Sequence, residues 1–180
     1  MTEKDTEKII RDHLIGKKIQ KIEFYDYNNL YLVFDPEHQW VVDFCIYIEL
    51  NEGFIMYYFD GENECVEFST EKNIEDIDPE GNAQALGAFD IQGLKILQGK
   101  EITDIHFRWS FYRLLDESFE LTEKKYYLPT EMILVFENGH RLQIASVQYA
   151  IDKKTKKMIN IEYDLVGELL VTLFNDFHKG

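Results

Sequence analysis

The sequence predicts an α+β fold in which antiparallel β-structure dominates, and three observations support this prediction. Turn signals such as Asn51-Glu52-Gly53, Asp60-Gly61 and Asn138-Gly139 separate short apolar runs, as expected of strands joined by tight turns. The chain holds 13 Phe and 11 Tyr against only 3 Pro, a composition that favours strands carrying large rings. The third observation is an internal repeat, which indicates that one β-rich unit is used twice.

The repeat relates residues 14–24 to residues 97–107, where Leu, Gly, Lys, two Ile and Phe recur at the same relative positions. A second match relates residues 32–34 to residues 134–136, each reading Leu-Val-Phe. The offset grows from 83 residues at the first match to 102 at the second, so the second copy is longer by 19 residues. We therefore expect two copies of a β-meander unit, the second with a prolonged hairpin rich in aromatic residues.

The predicted organisation is a first unit over residues 1–69, an acidic linker over residues 70–90 and a second unit over residues 91–180, together forming one compact domain. The linker contains a possible helical turn near residues 83–86 and otherwise lacks an apolar period. Residues 40–50 form a long apolar run and are predicted to be a single strand.

Two short helices are expected to pack on the sheets, one at each end of the chain. Thr2 is placed to cap a helix over residues 3–14 whose buried stripe is Ile9, Ile10 and Leu14. Asp164 is placed to cap a helix over residues 165–178, in which apolar residues recur every fourth position from 165 to 177.

The formal net charge of −15 is concentrated in the first half of the chain. Residues 1–90 hold 21 acids and 7 bases, a net −14, whereas residues 91–180 hold 13 acids and 12 bases, a net −1. Such an acidic half repels nucleic acid and anionic membrane surfaces and favours a basic partner. The alternative interpretation is that the charge only keeps the protein soluble.

The compartment expected from the sequence is the cytoplasm. Cys45 and Cys65 are too few for a disulfide framework and lie among apolar residues, which predicts buried, reduced thiols. Residues 1–13 are charged and polar, unlike a secretory signal, and no apolar run is long enough to span a membrane.

The sequence contains no pattern that declares catalysis, a metal or a cofactor, so no cofactor is expected. Nucleophile-elbow, P-loop, dinucleotide-binding and zinc-protease motifs are all lacking. Residues 76–87 only superficially resemble a calcium loop, since Gly87 stands where a bidentate Glu is needed. His38 and His140, which occupy equivalent positions of the repeat, are expected to follow turns and face solvent. An enzyme whose residues converge only in space remains the third hypothesis.

Acidic residues interleaved with Tyr form the predicted partner-binding surface. Carboxylates would attract and orient a basic protein, and tyrosines commonly anchor interfaces. The alternative is a solvated linker and a soluble sheet edge. The candidate residues are Tyr57, Tyr58, Asp60, Glu62, Glu64, Glu67, Glu71, Glu75, Asp76 and Asp78.

A second candidate surface is the aromatic cluster in the longer second unit. A hairpin carrying so many rings either fills the core or extends beyond the sheet and mediates a homodimer. The residues concerned are Trp109, Phe111, Tyr112, Tyr126 and Tyr127.

In general character the acidic α+β chain is similar to the toxin-neutralising immunity proteins of bacteria. That resemblance implies a non-enzymatic interaction protein whose acidic first half binds a basic protein partner. The competing hypothesis is a small-molecule-binding β protein with its site between the two units or at a barrel mouth lined by the aromatic residues.

Overall fold

The computed structural model describes residues 2–27, 32–35, 39–61, 65–87, 93–113 and 121–174. Within these ranges the chain folds into two antiparallel β-sheets and two short α-helices, as the predicted α+β class requires. Helix α1 spans Glu3–Leu14 and helix α2 spans Ile74–Ile77. A single 3₁₀ turn over Leu94–Leu97 precedes the second copy of the repeated segment.

The N-terminal helix begins and ends where the sequence predicts. The Thr2 hydroxyl accepts a hydrogen bond from the Asp5 amide at 3.3 Å, while the Asp5 carboxylate accepts from the Thr2 amide at 3.0 Å. This reciprocal cap satisfies two amides that the first turn would otherwise leave without partners. Ile10 and Leu14 are fully buried, whereas Ile9 remains 38% exposed.

The first sheet has five strands in the order β6-β5-β4-β1-β7. Their bounds are Ile19–Asp26 (β1), Cys45–Leu50 (β4), Phe54–Asp60 (β5), Cys65–Ser69 (β6) and Gln84–Gly87 (β7). Strand β7 corrects the helical turn predicted near residues 83–86, and it forms one edge of the sheet by pairing with β1.

The second sheet has the order β2-β3-β12-β10-β9-β8, and β11 pairs with β10 off this path. Its strands are Leu32–Asp35 (β2), Gln39–Val42 (β3), Ile102–Tyr112 (β8), Tyr126–Phe136 (β9), Arg141–Ile151 (β10), Met158–Tyr163 (β11) and Glu168–Phe174 (β12).

The two sheets share one hydrophobic core. Buried side chains of β1, β4 and β5 in the first sheet pack with those of β9, β10 and β12 in the second. Trp40 of β3 is the largest of the fully buried side chains and joins this cluster. Burial of large apolar side chains on facing sheets is the main force that stabilises such an arrangement.

The single strand predicted over residues 40–50 is wrong. The chain bends at Asp43 and Phe44, so β3 belongs to the second sheet and β4 to the first. An apolar run that is buried on both sides of a bend has the same pattern as one continuous strand.

The C-terminal helix predicted over residues 165–178 is also wrong within the described residues, where this segment contains β12. The strand is sandwiched between β3 and β10, and all of its positions from Leu169 to Leu173 are buried. A central strand covered on both faces reads as a continuous apolar run, and such a run also satisfies a helical period.

The two copies of the repeated segment lie side by side and exchange equivalent hydrogen bonds. The Gly16 amide donates to the Ile102 carbonyl at 2.9 Å, and the Gly99 amide donates to the Ile19 carbonyl at 2.7 Å. Both glycines adopt a left-handed backbone, with φ of 77° and 73°. Residues 32–34 and 134–136 differ more, because β2 pairs with β3 whereas β9 lies between β8 and β10.

Candidate functional site

A cavity of about 500 Å³ opens at one end of the first sheet, beside the bend that joins β3 to β4. Its walls come from that bend, from the end of β5 and from the segment around α2. The lining residues are Tyr27, Asp43, Phe44, Tyr58, Phe59, Asp60, Gly61, Lys72, Asp76, Ile77 and Pro79. We call this cavity the acidic pocket.

Aromatic rings form the inner wall of the acidic pocket. Phe44 and Tyr58 are only 4% and 3% exposed, and the Phe59 amide holds the bend in place by donating to the Phe44 carbonyl at 2.9 Å. Tyr27 packs on Phe44 with ring centroids 4.6 Å apart, yet remains 42% exposed. Part of the Tyr27 side chain is therefore accessible to a ligand.

Three carboxylates also line the acidic pocket. Asp43 lies on the bend, Asp60 at the end of β5 and Asp76 in α2. Asp76 is oriented by the N-cap of α2, since its carboxylate accepts a hydrogen bond from the backbone amide of Asn73 at 2.8 Å. Partial burial and the nearby carboxylate of Asp26 raise the pKa of Asp43, because both disfavour its charged form.

One cation, Lys72, is among the residues lining this pocket. Its ammonium lies 3.4 Å from the Tyr58 hydroxyl and 5.9 Å from the centroid of that ring. The Tyr58 hydroxyl also lies 3.4 Å from a carboxylate oxygen of Glu67. Burial, followed by the carboxylates of Glu67 and Asp60, raises the pKa of Tyr58, so the phenol stays protonated.

The structure brings together only some of the residues of the predicted partner-binding surface. Tyr58, Asp60 and Asp76 line the acidic pocket. Glu71 and Glu75 are exposed but are not among its lining residues. Glu62 and Glu64 lie outside the described residues.

Tyr57 and Asp78 were assigned to that surface and belong elsewhere. Tyr57 is 2% exposed and its hydroxyl donates to the Pro129 carbonyl, which ties β5 of the first sheet to β9 of the second. Asp78 is 8% exposed and its carboxylate accepts from the Ala83 amide at 2.7 Å, so it holds the turn before β7. Both side chains therefore stabilise the fold, since neither is accessible to a partner.

Sequence reasoning missed Tyr27, Asp43, Phe44 and Lys72. A signal existed for Asp43, because it is the only charged residue between positions 40 and 48 of an otherwise apolar run. A charge inside such a run marks a place where the chain reaches the surface.

The aromatic residues of the second unit line the β8–β9 hairpin in pairs. Tyr112 stacks on Tyr126 with centroids 5.3 Å apart, and Phe111 lies 5.8 Å from Tyr127. Trp109 stacks on Phe107 at 5.2 Å and is half-buried.

Cations cover part of this hairpin end, and a small cavity lies beside it. The Lys125 ammonium lies 4.0 Å from the Phe111 ring centroid, and Phe111 is 44% exposed. The cavity has a volume of about 150 Å³ and lies between Glu67 and Phe68 of β6 and the three tyrosines Tyr112, Tyr126 and Tyr127.

Cys45, Cys65 and His140 are buried in the fold. Cys45 and Cys65 are free and buried, as predicted, and burial raises the pKa of the Cys65 thiol to about 11. His140 is only 4% exposed, which corrects the expectation that it faces solvent, and His38 lies outside the described residues. Within the described ranges, no three His, Cys, Asp or Glu side chains are arranged to hold a metal ion.

Comparisons with known proteins identify no relative. No family model, no curated protein and no solved structure matches this chain. In the part of the chain that the structure describes, none of the helices has the length and apolar character needed to cross a bilayer.

Proposed function

We propose that this chain is a non-enzymatic interaction protein that binds a basic protein partner through the acidic pocket. The observation that carries the proposal is that Asp43, Asp60 and Asp76 line one cavity together with the partly exposed Tyr27. A lysine or arginine side chain of the partner meets carboxylates at the rim and the face of Tyr27 inside. Carboxylates and an aromatic face both attract cations, and the concave wall limits competition from water.

The charge of the first half supports the same proposal at longer range. A net −14 over residues 1–90 attracts a basic protein before contact and speeds encounter. Lys72 supplies an internal example of the recognition, because its ammonium already lies near the hydroxyl and ring of Tyr58. Neutralisation of a basic toxin by an immunity-like protein is one concrete form of this function.

A pocket variant tests the proposal. In Asp43→Asn/Asp60→Asn/Asp76→Asn the three carboxylates are replaced by amides of the same shape. We expect binding of a short oligolysine peptide, measured by isothermal titration calorimetry, to weaken about tenfold, since exposed ion pairs contribute about 0.2–1 kcal/mol each. Protein capture from an extract of the producing cells should fall in parallel and be lost at high salt.

The matched control removes the same charge elsewhere. Glu49, Glu123 and Glu162 are exposed and lie outside the pocket lining, so Glu49→Gln/Glu123→Gln/Glu162→Gln has an equal net charge. Equal losses of peptide binding in the two triple variants would show that only total charge matters, and would refute the pocket. Circular dichroism and thermal unfolding establish that both variants remain folded.

A small organic cation is the second candidate ligand. The cavity volume of about 500 Å³ falls in the range of small-molecule sites. The site expected between the two units has less support, because the cavity between β6 and the β8–β9 hairpin measures only about 150 Å³. A thermal-shift screen with amines distinguishes the candidates, since a small ligand would stabilise the wild type and not the pocket variant.

We also propose that the fold arose by duplication of one β-meander. The supporting observation is that the two copies of the repeated segment exchange equivalent hydrogen bonds around Gly16 and Gly99. The free, buried thiols of Cys45 and Cys65 fit a reducing compartment such as the cytoplasm. The exposed ring of Phe111 keeps the aromatic hairpin a candidate homodimer surface.

A further inference from the structure

The β10–β11 hairpin combines exposed apolar residues with a dense positive charge. Ile151, Ile159 and Ile161 are 42%, 40% and 40% exposed. Four lysines occupy the turn between the strands, and all of their side chains are exposed: Lys153, Lys154, Lys156 and Lys157. Exposed isoleucines beside a charge cluster are typical of a surface that contacts another molecule.

The turn that presents these lysines is held in one shape. The Asp152 carboxylate accepts hydrogen bonds from the Lys154 amide at 3.0 Å and from the Thr155 amide at 2.6 Å. The Lys156 amide donates to the Asp152 carbonyl at 2.9 Å, and Asp152 N donates to the Lys157 carbonyl at 2.9 Å. A turn fixed by its own backbone presents its side chains at a lower entropic cost on binding.

The hairpin is suited to recognition by side chains rather than by strand pairing. Within the described residues β11 pairs only with β10, so its other edge is open. However, the register of the hairpin shifts between Gln148 and Ala150, and Asn160 has a positive φ of 53°. A bulge of this kind, together with lysines, is how proteins prevent an edge strand from adding another strand. Because the lysine side chains and not the strand edge make the contact, we expect the partner surface to be acidic.

We propose that the chain self-associates head to tail, with the lysine turn of one copy seated in the acidic pocket of the next. This inference rests on the proposed cation-binding role of that pocket. The pocket supplies three carboxylates and the exposed ring of Tyr27, and the hairpin supplies ammonium groups and exposed isoleucines. Because the two surfaces are different parts of one chain, the contact is heterologous and leaves one free surface at each end of a dimer.

The overall charge sets the conditions for the experiment. Two chains of net charge −15 repel each other at long range. At about 0.15 M salt the Debye length is about 8 Å, so this repulsion is screened while contacting ion pairs persist. At about 1 M salt, where the Debye length is about 3 Å, the ion pairs are weakened as well.

Sedimentation velocity of the full chain, up to about 1 mM, reveals interactions with dissociation constants in the millimolar range. We expect concentration-dependent species larger than 21.4 kDa at moderate salt, and their loss at high salt. A chain that stays monomeric, or association that strengthens at high salt, overturns the inference.

Mixing two variants tests the pairing of the surfaces. Lys153→Gln/Lys154→Gln/Lys156→Gln/Lys157→Gln retains the pocket, and Asp43→Asn/Asp60→Asn/Asp76→Asn retains the hairpin. Each should be monomeric alone, with association weakened at least about tenfold. Their mixture should form a one-to-one complex, because one intact surface of each kind remains. Variants that still associate alone, or a mixture without a complex, contradict the head-to-tail contact.

Two further measurements separate the alternatives. Phe111→Ser abolishes a dimer formed by the aromatic hairpin and leaves a head-to-tail contact intact. Oligolysine binding to the quadruple lysine variant reports on the pocket alone. Peptide binding without self-association refutes the inference while leaving the proposed function standing, whereas loss of peptide binding contradicts both.

Discussion

The β5–β6 and β10–β11 hairpins lie in different sheets and carry opposite charge. The first hairpin ends at Asp60 and has Glu67 on its second strand, and it forms a wall of the acidic pocket. The second ends in a turn with four exposed lysines. The two surfaces proposed to bind, the acidic pocket and the lysine turn, therefore lie at these hairpins.

The regions where the sheets meet are, by contrast, closely alike. The backbone amides of Gly16 and Gly99 donate equivalent hydrogen bonds to the carbonyls of Ile102 and Ile19. Leu14 and Leu97 are both fully buried. Residues that are equivalent in both sheets stabilise the common framework. Residues that differ between the two sheets can change to bind a ligand without disturbing that framework.

The largest effect should follow from cutting the link between the sheets. Tyr57 is buried and its hydroxyl donates to the Pro129 carbonyl of the other sheet. We expect Tyr57→Ala to reduce the free energy of unfolding by about 3–5 kcal/mol, because it leaves a large cavity in the core. Urea unfolding followed by fluorescence measures this loss.

A milder change at Tyr57 and the same change at its neighbour Tyr58 serve as controls for that prediction. Tyr57→Phe keeps the ring and should cost about 1–2 kcal/mol, since the Pro129 carbonyl loses its donor. Tyr58→Phe should have its main effect on oligolysine binding, because the Tyr58 hydroxyl lies 3.4 Å from the ammonium of Lys72, a lining residue of the pocket. If Tyr57→Ala reduced the free energy of unfolding by less than about 1 kcal/mol, the conclusion that the two sheets share one core would be refuted.

Intermediate effects should be equal in the two repeated segments. Gly16→Ala and Gly99→Ala place a Cβ on a left-handed backbone, which costs about 1–2 kcal/mol. No atom lies within 4 Å of either added Cβ, so the loss arises from the backbone alone. Thermal unfolding of the two variants should therefore give similar shifts.

A glycine without this backbone conformation is the control. Gly61 also has open space around its Cβ position and lacks a positive φ, so Gly61→Ala should change the stability by less than about 0.5 kcal/mol. Markedly unequal losses at positions 16 and 99 would argue that the two junctions are not equivalent.

Local signals in the sequence predicted the elements that local interactions determine. The helix at residues 3–14 followed from Thr2 and from the stripe of Ile9, Ile10 and Leu14. Thr2 caps the helix and Ile10 and Leu14 are buried, whereas Ile9 is exposed. A helix over residues 165–178 is the sequence prediction because apolar residues recur every fourth position there, but the same mostly apolar run also fits a buried strand. Its pairing with β3, over a hundred positions earlier in the chain, decides the outcome, and no local pattern records that pairing.

The acidic pocket was predictable only in part for a related reason. The density of acids and tyrosines after residue 57 indicated the β5–β6 hairpin and the segment after it, and three of the candidate residues line the cavity: Tyr58, Asp60 and Asp76. Alternation could not show that Tyr57 is buried, since β5 is buried on both faces from Ile55 to Tyr58. Asp43 and Phe44 join the site through a bend between two sheets, which depends on the tertiary fold.

The smallest effect tests whether the acidic pocket is maintained at a cost to the fold. Partial burial and the carboxylate of Asp26 raise the pKa of Asp43 above its usual value of 3.8. A carboxyl with a raised pKa binds its proton more tightly in the folded chain, so its charged form destabilises the fold above that pKa. We expect Asp43→Asn to increase the free energy of unfolding at neutral pH by less than about 1 kcal/mol, because Asp43 is partly screened by solvent. The gain should shrink as the pH falls through the raised pKa, where Asp43 itself becomes neutral.

Urea titrations across this pH range, with Glu49→Gln as the control, measure the effect. A stabilised variant that binds oligolysine more weakly would show that Asp43 is retained for binding, whereas a loss of stability at neutral pH would mean that its charge supports the fold.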